Sequence, residues 1–135
     1  RCELVKNLLR NPDRVLNIDG RQWSKVGASR ILVDAPCSGL GAIRRRPESR
    51  WRKSRSDLQE LNLLQIELLQ RAIEVCAQGG VIGYSTCSPI QSETDMIIKN
   101  ILATQPVKLQ KVYRYWPHID DTDGMYLAIL EKVAN

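Results

Sequence analysis

Apolar positions along this chain recur with two different periods. Between Leu58 and Cys76 they fall at 58, 61, 64, 68, 69, 72, 73, 75 and 76, the spacing of a helix that buries one face. Ser56-Asp57 reads as its N-cap and Gln78-Gly79-Gly80 as its stop. Two shorter helices follow the same rule. One runs from Cys2 to Leu9, with Leu4, Val5, Leu8 and Leu9 on one side, and ends at Asn11-Pro12. The other opens at Ser92 or Glu93 and carries Met96, Ile97, Ile98, Ile101 and Leu102. Short continuous apolar runs read instead as buried strands: Val15 to Ile18, closed by Asp19-Gly20, then Arg30 to Val33 and Val81 to Tyr84. Val107 to Tyr115 alternates like a strand, Asp120 to Gly124 is a turn, and Met125 to Leu130 is a last strand.

Helix and strand alternate as far as Leu102, which predicts an α/β fold with a mostly parallel sheet and crossover helices. The last two strands have no helix between them and predict an antiparallel hairpin at a sheet edge. A length of 135 residues fits one domain, and 43% apolar with 26% charged residues is the balance of an ordinary globular protein. No apolar run is long enough to span a membrane and no leader is apparent, so the expected location is the cytoplasm. The four cysteines match no zinc spacing and are expected as reduced thiols, with no metal.

The net charge of +5 is concentrated in one place. Arg44, Arg45, Arg46, Arg50, Arg52, Lys53 and Arg55 crowd around Trp51, with Glu48 the only acid among them. Such a segment is either a solvated basic loop or a surface that holds phosphates and stacks on an unpaired base. Its place just after a cysteine motif favours the nucleic-acid reading.

That motif is Asp34-Ala-Pro-Cys37-Ser-Gly, and a second, Tyr84-Ser-Thr-Cys87-Ser, follows fifty residues later. Each ends a predicted strand, where ligands bind in open α/β sheets. A thiolate is the nucleophile, and it suits a soft, electron-poor carbon such as C6 of cytosine. Attack there makes C5 nucleophilic, and release then needs loss of the C5 proton and of the thiol. One cysteine could attack while another group assists release, and Asp34 could hydrogen-bond the N3–N4 edge of the ring. Cys2 and Cys76 read as small buried hydrophobes. Tyr115 and Trp116 read as hairpin packing. His118, the only histidine, leaves open a cysteine hydrolase with a Cys-His pair.

These segments together, Asp34-Ala-Pro-Cys-Ser-Gly-Leu-Gly with Arg45-Arg46-Pro47-Glu48 and Trp51, Tyr84-Ser-Thr-Cys-Ser-Pro, and Asp123-Gly124-Met-Tyr-Leu-Ala, resemble the S-adenosylmethionine-dependent RNA cytosine-C5 methyltransferases. The Sun/Fmu type that modifies small-subunit ribosomal RNA is the most similar, and the resemblance covers nearly the whole chain. It implies a Rossmann-like methyltransferase domain. Cys87 would be the nucleophile, Cys37 would assist product release, and Asp34 would sit beside cofactor and base. Asp19, Asp34 and Pro36 would contact S-adenosylmethionine, and Arg44, Arg45, Arg46, Arg50, Trp51, Arg52, Lys53 and Arg55 would guide the RNA. Glu93 matches an acidic position at a helix start, with a structural role, and Thr94 stands where many members have asparagine.

No glycine-rich strand-turn-helix motif precedes Asp19. By the resemblance, residues 1–135 are the carboxyl-terminal portion of one catalytic domain, lacking its first two strands, and inactive alone. The strand ending at Asp19 would then face a gap in the sheet. It is expected to move beside the next strand, swap with a neighbour or be held loosely, and the exposed edges are expected to favour self-association. The rival reading is a non-catalytic RNA-binding module built on the basic loop.

Overall fold

The computed structural model describes residues 2–8, 15–51 and 54–134. Its elements in order are α1 (Cys2–Leu8), β1 (Ala28–Asp34), α2 (Arg55–Val75), β2 (Cys76–Thr86), α3 (Asp95–Thr104), β3 (Val107–Tyr115), the short α4 (Pro117–Asp120) and β4 (Met125–Lys132). The four strands form one sheet in the order β1-β2-β4-β3. β1 and β2 are parallel, whereas β2–β4 and β3–β4 are antiparallel. The sheet is therefore mixed rather than mostly parallel. The final hairpin does not simply add to an edge, because β4 takes the interior place against β2 and leaves β3 outside.

One face of this sheet carries the core. Ile82 and Tyr84 of β2, with Tyr126, Ala128 and Leu130 alternating along β4, pack beneath Leu69, Ala72 and Ile73 of α2 and Ile97, Ile98 and Ile101 of α3. The rings of Tyr84 and Tyr126 meet edge to face with centroids 6.4 Å apart. Helix α2, about 31 Å long at 1.5 Å per residue, is capped by Ser54, two residues before the predicted cap at Ser56. Ser54 accepts from the backbone N–H of Asp57, and the Asp57 side chain accepts from that of Ser54, closing a capping box. The helix passes directly into β2: its C-cap is Cys76, whose backbone is extended, so the predicted stop at Gln78-Gly79-Gly80 falls inside the strand, where Gly79 has φ of +70°. Cys76 is buried as predicted, but as the first residue of β2. The expected burial of Cys2 and the helix stop at Asn11-Pro12 lie outside the described residues.

The predicted strand Val15–Ile18 does not form. These residues are irregular and lie largely exposed, pairing with no strand, and Asp19 instead caps a single 3-10 turn, Gly20–Gln22. A strand is stabilised only by a neighbour that completes its hydrogen-bond ladder. Here β1 is an edge, and the preceding segment does not add to it. The segment has not moved beside β1 as a strand, and just beyond it Arg21 donates to Glu67 of α2 at 2.8 Å.

Candidate active site

The parallel register of β1 and β2 places the two cysteine motifs side by side. Asp34 pairs with Ser85, and the Ala35 N–H donates to the Ser85 carbonyl at 2.9 Å. Both chains then leave the sheet at its carboxyl end, and the sulfurs of Cys37 and Cys87 lie 3.3 Å apart. The hydrogen bond from Cys37 favours the Cys87 thiolate and lowers that pKa to about 6, against partial burial and the negative fields of Asp34 and Glu93. The same bond, with burial, pushes the Cys37 thiol well above the ordinary range. Both shifts point the same way, favouring the thiolate on Cys87 and the proton on Cys37. Cys76, away from this pair, is raised by burial alone among its larger influences.

Two further loops brace the pair. The Gly41 N–H donates to the Cys87 carbonyl at 2.9 Å, and the Gly124 N–H donates to the Gly41 carbonyl at 2.8 Å. A Cβ on Gly41 would fall 2.0 Å from the Gly124 carbonyl oxygen, so only glycine permits this approach. Glu93, with no exposed surface, lies behind the thiols. It follows β2 in a 3-10 turn and accepts from the Ser38 N–H at 2.8 Å, the Ser38 hydroxyl at 2.6 Å and the Ser88 hydroxyl at 2.5 Å. Gln65 of α2 donates to Glu93 at 3.2 Å and to the Pro36 carbonyl at 2.8 Å. The Glu93 carbonyl in turn accepts from the buried Tyr84 hydroxyl at 2.9 Å.

The basic loop is only partly available to a ligand. Arg44 pairs with Asp121 at 2.9 Å and Arg45 with Asp123, so the acids of the 120–124 turn hold two of the predicted RNA contacts. Arg46, Arg50 and Arg55 form no ion pair among the described residues, and Trp51 is 84% exposed. Arg52 and Lys53 lie outside the described residues. His118 stands in α4 with its ring tilted against Trp116, and makes no hydrogen bond to either thiol among the described residues. The cysteine-hydrolase reading therefore has no catalytic pair.

A groove of about 470 Å³ runs along the free side of β1, lined by Gly20, Trp23, Leu32, Val33, Asp34 and Leu68 among others. Asp34 is exposed at the end that leads to the thiols. Asp19 borders the groove, but its carboxylate is taken by Arg21, which donates from Nε and Nη2 and holds its pKa down at about 2. The lining is mainly apolar, with β1 on one side, Leu68, Ala72 and Val75 of α2 with Gly20 and Trp23 across from it, and the groove is partly open to solvent. Among the described residues, no cluster of three His, Cys, Asp or Glu is placed to hold a metal ion.

Residues 2–131 match the family model for the 16S rRNA methyltransferase RsmB/F. The chain belongs to this family. Ribosomal RNA small subunit methyltransferase B of Pasteurella multocida is 35% identical over 84% of the chain and 29% of its own length. A Mycobacterium tuberculosis protein provisionally named a methyltransferase is 39% identical over 99% of the chain and 33% of its own length. Among solved structures, PH0851 superposes with a TM-score of 0.90 at 31% identity, covering 98% of this chain and 34% of that one. NSun6 from Pyrococcus horikoshii, solved with SFG, gives 0.79 at 28% identity, covering 89% and 34%. The chain thus spans about a third of the length of the relatives it matches.

Within the RsmB/F frame, the structure brings Cys37, Cys87 and Asp34 together as the motifs predicted. Glu93 was expected only as a structural residue at a helix start, and its four donors from three segments were not foreseen. A signal was present: each cysteine is followed by serine, and it is those two serines that converge on Glu93. Thr94 gives the following helix no side-chain cap, and its hydroxyl donates to the Ile90 carbonyl instead.

Proposed function

We propose that this chain carries the two reacting thiols of an RNA cytosine-C5 methyltransferase that acts on ribosomal RNA with S-adenosylmethionine as methyl donor. The observation that carries the reading is the 3.3 Å contact between Cys37 and Cys87 at the ends of neighbouring parallel strands, with the charge biased onto Cys87. Family membership supports the reaction class, and the names of the relatives support the substrate.

In this reading the Cys87 thiolate adds to C6 of the target cytosine, and C5 becomes an enamine-like carbon. Asp34, at the end of β1, accepts from the N4 amino group and orients the ring for attack, while a proton from solvent reaches N3 as the charge develops there. S-adenosylmethionine, when bound, supplies the methyl group. Product release passes the C5 proton to solvent water, the C5–H electron pair forms the C5=C6 bond, and the C6–S pair leaves with the Cys87 sulfur as thiolate. Cys37, which keeps its proton beside the Cys87 sulfur, assists by returning the hydrogen bond that stabilises the departing thiolate. The groove along β1 would take the adenosine end of the cofactor, against Asp34 and Pro36. Asp19 would join only after releasing Arg21. Arg46, Arg50, Trp51 and Arg55 form the outward part of the RNA surface, together with Arg52 and Lys53. Arg44 and Arg45 would contribute once RNA phosphates compete with Asp121 and Asp123. The bare edge of β1 is also where the chain would self-associate, and the cytoplasm is the proposed location.

The test is Cys37→Ala in an intact enzyme incubated with RNA and S-adenosylmethionine. A covalent protein–RNA species on denaturing gels, absent from the Cys37→Ala/Cys87→Ala double variant, is the expected result. Full activity with no adduct would overturn the assigned roles. RNA binding with no methylation by the unmodified enzyme would favour the non-catalytic module.

A further inference from the structure

The buried carboxyl group of Glu93 has more donors than a helix start requires. A buried charged or polar group is costly unless each of its atoms is satisfied. Here one oxygen accepts from the Ser38 N–H and from Gln65, and the other from the hydroxyls of Ser38 and Ser88. Ser38 and Ser88 are the residues immediately after Cys37 and Cys87. Both hydroxyls also accept from the loop that follows, from the Leu40 N–H at 3.4 Å and the Ile90 N–H at 3.1 Å. Gln65 extends the same network to the carbonyl of Pro36, the residue before Cys37. One side chain thereby ties two strand ends, fifty residues apart in sequence, at points one residue away from each sulfur.

We propose that Glu93 is a positioning residue for the reaction: by holding Ser38 and Ser88 together it sets the contact between the Cys37 and Cys87 sulfurs. The proposal rests on the methyltransferase reading for its meaning, but the contact can be measured on the thiols alone. The charged groups facing Cys87 are Asp34 from β1, Glu93 itself and Arg45 from the basic loop, with Cys37 the nearest titratable partner. The Glu93 field raises the Cys87 pKa, whereas the Cys37 hydrogen bond lowers it and is the larger influence. Loss of the clamp and loss of the charge therefore shift Cys87 in opposite directions.

The experiment follows iodoacetamide labelling of Cys87, resolved by peptide mass spectrometry, as a function of pH. The unmodified chain should reach half its maximal rate near pH 6, because the thiolate is the reacting species. In Glu93→Gln the amide must donate from one side, and the two serine hydroxyls cannot both keep their present roles. The midpoint should then rise by about one pH unit or more, towards the ordinary thiol value. Should Glu93→Gln fail to fold, the Ser38→Ala/Ser88→Ala variant removes the tethers, leaves the Glu93 field in place and should shift the midpoint the same way. Ile98→Ala, buried on α3 outside the network, loosens the fold and should leave the midpoint where it is. A midpoint that falls or stays fixed in folded clamp variants, or that rises equally in Ile98→Ala, would overturn the proposal. Failure of Cys37→Ala to trap RNA would overturn the functional reading and leave this profile standing, so the two failures are separable.

Discussion

The two sides of β1 are built to different standards. On the side of β2, the sheet is paired, covered by α2 and α3, and ends in a thiol pair whose loops are bound to each other through Gly41, Gly124 and Glu93. On the other side β1 pairs with no strand among the described residues. Gly20 and Trp23 line the groove along it, Leu16, Ile18 and Val26 in the same stretch of chain are exposed, and Leu32 on β1 itself is 70% exposed. The difference teaches where the chemistry is autonomous. The groups that would handle the base need nothing outside this chain to find their geometry. The groups that would handle the cofactor line a groove partly open to solvent.

The contrast can be broken by substituting leucine on each side. Leu69→Ala, in the fully buried stripe of α2, should cost about 2–5 kcal/mol in urea unfolding, since it removes transfer energy and leaves a cavity. Gly41→Ala should cost about 1–3 kcal/mol by overpacking, because the obstacle is the Gly124 backbone rather than a side chain that can move aside. The smallest effect belongs to the bare side. Leu32→Ala should stay within about 0.5 kcal/mol in the same assay, as exposed substitutions do. A large loss at Leu32 would show that something covers β1 in solution and would dissolve the contrast.

The sequence made most of the well-packed side legible. The helical period of α2 and the apolar runs of β1 and β2 located the elements, and the placement of Cys37 and Cys87 at strand ends followed from them. What escaped was set by tertiary partners. Val15–Ile18 has the composition of a strand, but strand formation needs a pairing edge that no residue of the segment itself supplies. The interior position of β4 depends on the order in which strands pair, which alternation does not encode. The pairing of Arg44 and Arg45 with Asp121 and Asp123 spans nearly eighty residues, so the basic segment read alone overstated its free charge. Glu93 looked like a helix-start acid because its sequence neighbours are a helix start. Its actual partners come from the far end of β1 and from α2.

The most direct test of this asymmetry is calorimetric titration of the chain with S-adenosylmethionine. The groove is partly open to solvent and Asp19 is engaged by Arg21. The expected result is therefore a Kd weaker than about 1 mM, less than about 4 kcal/mol of binding free energy, while Cys87 still shows its low-pH reactivity in the same sample. Micromolar binding by this chain alone would contradict the account, because it would mean that the cofactor side is as complete as the thiol side.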